Sequence, residues 1–326
     1  MNLLLGVEGN DKRVCMREPL VSVIMPAYNA ERFIGEAISS ILNQTYKNFE
    51  LIIIEDSSTD NTLAEIEKWK DQRIRLFCNE KNRGISYSTN RGIALSKGEY
   101  IALLDDDDIA EPERLSIQVE YMRKNTDIDI VGGRYMEIDE EGNIIQYYNI
   151  PRNNPKYIKA MLLLHFVDFA NGSAMIRKDF IEKNHLSFQE NCYGMQDFRF
   201  YIESSKVGKI SSVKEVVMRH RIHENNETKR RKNENEKERA ETYASFQKYS
   251  LERSGFLLDE EELNVLTKVF AEAGGCNSRE EWNLIFELFK KMLEQAKKMN
   301  VDYYDELKHF LRMKLSEKMC SFDVFG

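Results

Sequence analysis

The chain has 326 residues, of which 42% are hydrophobic, with a formal net charge of −8 and a pI near 5.4. That is enough for one large domain with an appendage, or for two domains, and the acidic balance argues against a nucleic-acid binder, which needs a basic footprint. Cys15, Cys78, Cys192, Cys276 and Cys320 are scattered, with no C-x-x-C pair, which predicts a reducing compartment and no zinc site. The apolar run 161–167 is broken by His165 and followed by Asp168, so nothing approaches the ~20 residues of a membrane span. The leucines at 3–5 lack the basic flank of a signal peptide. The expectation is a soluble, cytoplasmic protein, with peripheral contact at the inner face of the membrane left open.

In chain order, residues 21–25 read as a buried strand and 30–44 as a helix, with Phe33, Ile34, Ala37, Ile38, Ile41 and Leu42 on one face. A second strand at 51–54 precedes a helix over 62–69. A third strand at 74–77 precedes a helix over 86–96, and a fourth strand covers 100–104. Pro112 stands near the start of the next helix, where its missing donor does no harm. This alternation predicts parallel strands, right-handed crossovers and an α/β sheet covered on both faces. Further strands are expected at 128–131, 173–176 and 213–218, with a hairpin from 135–138 to 144–148. From about residue 224 proline is absent and charge is dense, with a basic cluster at 229–232. Amphipathic helices are expected there, the clearest with Trp282, Ile285, Phe286, Phe289, Met292 and Leu293 on one face. The boundary is placed near 225, dividing the chain into 1–224 and 225–326.

Three strands end in polar sequence: Pro26-Ala27-Tyr28-Asn29, Glu55-Asp56-Ser57-Ser58-Thr59-Asp60 and Asp105-Asp106-Asp107-Asp108. Parallel strands bring those ends to one rim, where open α/β sheets bind ligands. Four adjacent aspartates repel one another. One could cap the next helix, as Asp108 is placed to do. Two carboxylates one residue apart can instead hold Mg²⁺ or Mn²⁺, with substrate phosphates adding oxygens. Tyr28 could stack on a base and Asp56 accept a base N–H. Asn82-Arg83-Gly84 precedes a helix whose N-terminus could face a phosphate. Neither G-x-G-x-x-G after the first strand nor a P-loop is present.

SVIMPAYNAERFIGEAISSILNQTY, ELIIIEDSSTDNT, NRGISYSTNRGIALSKGEYIALLDDDD and PERL together resemble family 2 glycosyltransferases, over about residues 21–222. The resemblance implies a GT-A fold, a Rossmann-like mixed sheet flanked by helices, here with a C-terminal helical extension. It also implies an enzyme of the kind that builds bacterial capsule, O-antigen or other cell-envelope polysaccharide. By position it places the metal motif on Asp105 and Asp107, with Asp106 near ribose or sugar. Base-binding positions fall on Pro26, Ala27, Tyr28, Asn29, Asp56, Arg83 and Gly84. The catalytic base falls on Asp197 in GMQDFRF, and a histidine that helps hold metal or pyrophosphate on His223 in RIH. Four features depart from the pattern: Gln196 replaces a glutamate, Thr89 an arginine and Asn171 a histidine, and the Q-x-x-R-W signature of processive synthases is missing. The last implies addition of single sugars.

The expected reaction is therefore inverting transfer from a nucleotide-sugar donor, UDP-linked by resemblance, to a saccharide or lipid-linked saccharide acceptor, with Mn²⁺ or Mg²⁺ as cofactor. Two other readings stay open: a nucleotidyltransferase that makes sugar nucleotides, and a non-catalytic scaffold acting through the C-terminal helices. Those helices could position acceptor, dock on a membrane through Lys290, Lys291, Lys297 and Lys298, or form a homodimer seam.

Overall fold

The computed structural model describes residues 18–147, 153–164, 169–190, 196–224, 226, 236–271 and 278–319. The leucines at 3–5, His165, Asp168, the basic cluster at 229–232 and every cysteine except Cys78 lie outside them. The strands are β1 (Val21–Ala27), β2 (Phe49–Glu55), β3 (Ile74–Cys78), β4 (Tyr100–Leu103), β5 (Ile109–Ala110), β6 (Ile130–Ile138), β7 (Ile144–Tyr147), β8 (Met175–Arg177) and β9 (Ile210–Arg221). They form one sheet in the order β3-β2-β1-β4-β8-β6-β9-β5, with β7 paired to β6. β3, β2, β1 and β4 are parallel, whereas β8 is antiparallel to both β4 and β6. The sheet is mixed because β8, and at its far side β5 and β7, run against the other strands.

The parallel half forms because its strands are apolar on both faces. Every residue of FELIIIE is buried. In VSVIMPA, Val21, Val23 and Met25 join one core, and Ile24 joins the opposite one with Ile52, Ile54 and Ile101. Pro26 is tolerated in this central strand because β1 pairs with β4 only as far as Ile24, so the missing N–H falls beyond that ladder. Strand order turns back between β1 and β4, which places a crevice at their carboxyl ends.

Helices α1 (Ile34–Leu42), α2 (Thr62–Glu67), α3 (Ile85–Leu95) and α4 (Arg114–Lys124) lie where the periodicity puts them, α1 starting a turn later than expected and ending two residues sooner. Two short expected strands are parts of longer ones: 128–131 and 135–138 merge into β6, with register shifts between Gly132 and Tyr135, and 213–218 extends to the 12 residues of β9. The 144–147 hairpin is present as expected. Ser173 belongs to a 3₁₀ turn (Asn171–Ser173) ahead of β8. A side chain on Gly132 would collide with the Phe169 ring, which lies 2.1 Å from the position a Cβ would take. Glycine there lets Phe169 lie flat on β6 just before that turn.

Beyond the sheet come α5 (Pro155–Leu163), α6 (Lys178–Lys183) and α7 (Gln196–Val207), then α8 (Glu236–Arg253), α9 (Glu260–Ala271), α10 (Arg279–Lys298) and α11 (Tyr304–Met319). The last four build a third core around Leu266, Ile285, Phe289, Met292, Leu307 and Phe310. Tyr157, Ala160, Met161 and Leu164, in and just after α5, are part of it. The helical region is thus built on a helix that precedes residue 225. No helix among the described residues is long and apolar enough to cross a membrane.

Glu203 of α7 ties this region to the sheet domain. Its Oε1 accepts from Tyr249 Oη at 2.6 Å and Arg253 Nε at 2.9 Å, and its Oε2 from Arg253 Nη2 at 2.8 Å. The Arg253 hydrogen bonds hold the carboxyl down at about 2. A depressed carboxyl contributes stability above its unfolded value, ~4.3, and loses it as pH falls toward the folded one. Glu203→Gln is therefore expected to lower Tm at pH 6–7, by an amount matching about 1 kcal/mol for a partly exposed bidentate pair. The gap from wild type should narrow on acidification from pH 5 to pH 3. Calorimetric scans across that range check it, and a gap that widens would refute the assignment.

Candidate active site

The ends of β1, β2 and β4 converge as expected. Tyr28 N donates to Asp106 Oδ2 at 2.9 Å, closing the crevice between β1 and β4. The Tyr28 side chain is 45% exposed at its edge, open to stacking. Asn29 takes a left-handed backbone (φ 52°) and its Oδ1 accepts from Thr59 N at 2.8 Å, locking the β1 turn to the β2 turn. Ala27 is buried and Pro26 half-buried, so these two shape the rim through backbone rather than side chain.

Asp56 is 3% exposed. Its Oδ1 accepts from Arg83 N at 2.9 Å and its Oδ2 from Gly84 N at 2.7 Å; Asn79 Nδ2 also donates to Oδ1. The carboxylate therefore braces the turn ahead of α3, and a base N–H could reach it only at a remaining lone pair. Gly84 caps that helix at φ 83° and ψ 164°, a region essentially reserved for glycine that costs a side chain on the order of 1–3 kcal/mol. The Arg83 guanidinium lies 4.0 Å from the Tyr87 ring centroid and 3.9 Å from Glu190.

The four aspartates have separate environments. Asp108 is fully buried; its Oδ1 accepts from Arg221 N at 2.9 Å and meets His220 Nδ1 at 3.0 Å. It does not cap α4, whose first residue lies six positions on and whose N-cap Glu113 makes no side-chain bond. Burial opposes charge on His220, but Asp108 beside it lifts the imidazole to about 9. Asp107 Oδ2 meets His223 Nε2 at 2.8 Å. Asp105 Oδ2 and Asp108 Oδ2 both lie against Gly172, 3.4 and 3.3 Å from where a Cβ would stand. Burial, then Asp108 and Asp107, push the Asp105 carboxyl up to about 8. Burial and Asp107 likewise raise Asp106. Such crowding of carboxyls is relieved by a cation.

Of the expected metal set, Asp107 and His223 meet directly, and Asp105 Oδ2 lies against Gly172. Among the described residues no group of three or more His, Cys, Asp or Glu side chains is placed to hold a metal. One carboxylate with one imidazole is still a fitting donor set for Mn²⁺ or Mg²⁺, which commonly take few protein ligands and complete their shell with phosphate oxygens and water.

Asp197 lies in the first turn of α7, where its Oδ1 accepts from Phe198 N at 2.8 Å. It lies within electrostatic reach of Asp105 and of Tyr201, one helical turn along. Tyr201 is buried and its Oη donates to Asn171 Oδ1 at 2.9 Å. α7 and the 171–173 turn thus form the wall facing the aspartates.

The model of the family described as Glycosyl transferase family 2 matches residues 22–184. The chain belongs to that family. An uncharacterized glycosyltransferase of Haemophilus influenzae is 36% identical over 218 residues, covering 64% of this chain and 67% of the relative. A UDP-Glc:alpha-D-GlcNAc-diphosphoundecaprenol beta-1,3-glucosyltransferase of Escherichia coli is 40% identical over 137 residues, covering 42% of this chain and 53% of that one. The crystal structure of TarS residues 1–349 from S. aureus, in complex with UDP-GlcNAc, superposes with a TM-score of 0.60 at 17% identity, covering 91% of this chain and 89% of that one. The fold is GT-A, and the family 2 chain is a glycosyltransferase rather than a nucleotidyltransferase or a non-catalytic scaffold.

Three site residues escape motif reading. His220 carries no local pattern, while Arg114 sits in PERL and Arg221 in RIH with no role read from either. Arg221 is 1% exposed. It reaches the Asp107 carbonyl with Nε at 3.0 Å, the Glu140 carbonyl with Nη1 at 2.8 Å and Glu36 with Nη2 at 2.5 Å. Arg114, wholly buried, gives Nη2 to the Leu103 carbonyl at 2.6 Å; burial lowers it to about 10, so it remains cationic beneath the aspartates. The only sequence signals were the arginines within RIH and PERL. Arg221→Met should cost on the order of 1–3 kcal/mol by leaving partly buried carbonyls without their donor. Arg221→Lys should recover only part, since one ammonium cannot span three acceptors. Urea denaturation of both variants checks this order.

Proposed function

We propose that this enzyme transfers a single sugar, with inversion, from a UDP-sugar to a hydroxyl of a saccharide or lipid-linked saccharide acceptor in cell-envelope or exopolysaccharide synthesis, with Mn²⁺ or Mg²⁺ as cofactor. The observation that supports this reading is that Asp105 feels the charge both of Asp107, which pairs with His223, and of Asp197. The E. coli relative's name supports a UDP-sugar donor and a lipid-diphosphate-linked acceptor, and the TarS structure holds UDP-GlcNAc.

On this reading Tyr28 and the turn braced by Asp56, with Arg83 and Gly84, receive the nucleoside. Asp106, fixed by Tyr28 N–H, faces the ribose or sugar. Asp107 and His223 would hold the cation, whose chemistry when bound is to neutralise charge on the leaving diphosphate. Asp197 removes the proton of the acceptor hydroxyl as its oxygen attacks the anomeric carbon from the opposite face. We assign donor binding to residues 1–224 and acceptor positioning, membrane docking or homodimer assembly to 225–326. Because α5 is shared with the later core, a 1–224 fragment should bind nucleotide yet aggregate more readily than the whole chain.

Two substitutions test the roles separately. Asp107→Ala should leave the fold intact and abolish Mn²⁺-dependent UDP binding in calorimetry; unchanged affinity would remove Asp107 from the cation site. Asp197→Asn keeps the side chain's shape and its hold on Phe198 N–H but cannot accept a proton at neutral pH. It should bind donor normally and lose ~10²–10⁴-fold in kcat and kcat/KM together, read as nucleoside diphosphate release with acceptor present. If Asp197 were only a helix cap, turnover would survive, because Asn caps equally well.

A further inference from the structure

The two faces of α7 have different surroundings. Asp197 and Tyr201, one turn apart, face the aspartate rim. Arg199 and Glu203, also one turn apart, stand two residues out of step and face away from it. There they enclose a cavity of about 280 Å³ with Tyr249 of α8 and with Asn184, Ser187 and Gln189 of the segment that follows α6. Nothing in the proposed donor site uses these residues.

The cavity's walls are fixed by the fold. Asn90 clamps Phe188 by two hydrogen bonds, Nδ2 to its carbonyl at 2.7 Å and Oδ1 from its N–H at 2.9 Å. The Phe188 ring stacks on Phe200 at 4.2 Å and 6°. Glu203 is held by Tyr249 and Arg253, and the Arg199 guanidinium lies 4.6 Å from the Tyr249 ring centroid. His185, a lining residue, takes φ 52° at the end of α6, where Leu186 N closes back on the Ile181 carbonyl at 3.0 Å. That helix-ending position ordinarily takes glycine. A bulky residue accepting left-handed backbone is the kind of strain that collects at binding sites.

We infer that this cavity is a saccharide subsite that takes one sugar ring of the acceptor at a distance from the reacting hydroxyl. The inference rests on the proposed transfer reaction. Size favours one ring over a nucleotide, since the cavity falls just below the ~300–1,000 Å³ range of sites for drug-sized ligands. Its chemistry is that of a neutral polyol's partner. Asn184 and Gln189 each offer donor and acceptor, Ser187 either, Arg199 donors and Glu203 acceptors. Leu186 and the Tyr249 ring, both only partly buried, supply apolar surface for a ring face. Glu203 is paired with Arg253, and the Arg199 guanidinium stacks over Tyr249, so neither charge stands alone to select an anion. Position favours the acceptor. The segment carrying Ser187 and Gln189 runs on to Glu190, 3.9 Å from Arg83 at the donor rim. A helix body of ~10–12 Å separates the cavity from the face bearing Asp197, so an acceptor reaching both is longer than one sugar.

The test uses the full chain and two variants outside the donor site. Ser187→Trp fills the cavity, and Gln189→Ala removes one lining amide without adding bulk. Saturation-transfer NMR titrations with β-linked tetrasaccharides of glucose and of N-acetylglucosamine measure binding. In parallel, release of UDP from UDP-glucose with Mn²⁺ and no acceptor measures the donor site. Wild type is expected to bind at least one tetrasaccharide. Ser187→Trp should weaken that binding by at least about tenfold and Gln189→Ala by about 2–10-fold, the worth of one hydrogen bond, with acceptor-free UDP release unchanged in both. The proposal is overturned if wild type binds neither tetrasaccharide, if inorganic phosphate competes for the site, or if a folded Ser187→Trp binds as wild type does. Should Ser187→Trp fail to fold, unchanged affinity in Gln189→Ala overturns it. Loss of UDP release in wild type would instead count against the transfer reaction, with the tetrasaccharide titration still deciding the cavity.

Discussion

A single buried carboxylate joins the two halves of this site. Asp108 comes from the parallel half of the sheet, while His220 and the Arg221 N–H that it engages come from β9, more than a hundred residues later. A buried anion must be matched or the fold loses several kcal/mol. Here the match is made by an imidazole whose proton the same carboxylate retains. Once that joint is made, its neighbours have little freedom. Asp107 precedes Asp108 and His223 follows Arg221, so the pair meets at 2.8 Å. Arg221 then extends the joint to α1 and to the β6–β7 turn.

Much of this was legible in the residues because parallel strands impose a simple geometry. Val21–Ala27 and Phe49–Glu55 read as continuous apolar runs, and once they are parallel their polar tails must share a rim. What escaped reading falls into two kinds. β5 and α6 are too short, at two and six residues, to show any period, and the strands expected at 128–131 and 213–218 belong to longer ones whose pairing is interrupted by register shifts between Gly132 and Tyr135. The second kind depends on distant partners. Nothing near residue 220 says that its imidazole will meet Asp108, and nothing near residue 105 says that its carboxyl will turn toward Gly172. Asp56 shows the same limit: its motif marks the right place, but only the fold shows both its oxygens engaged by the turn ahead of α3.

The C-terminal helices show how a periodic stripe can exceed the surface it covers. On α10, Ile285, Phe289 and Met292 are buried in the third core, whereas Phe286 is 41% exposed and stacks on Trp282 at 5.4 Å. The 3.6-residue period identifies the face but not its breadth. The basis for this core lies earlier in the chain, in α5, so the compositional change near residue 225 marks a change in sequence character more sharply than a change in packing.

The glycine at 132 limits how far this scaffold can be improved. Replacing glycine by alanine in regular structure often raises stability by ~0.4–1 kcal/mol, because the unfolded chain loses freedom. At Gly132 the first added carbon would enter the Phe169 ring. That ring precedes the turn carrying Asn171 and Gly172, against which Asp105 and Asp108 rest. A directed-evolution library selected for heat resistance would thus find this strand closed to its commonest stabilising step. Drift here would be felt in the alignment of the aspartate rim with α7, so the position couples the enzyme's durability to its chemistry through one missing methyl group.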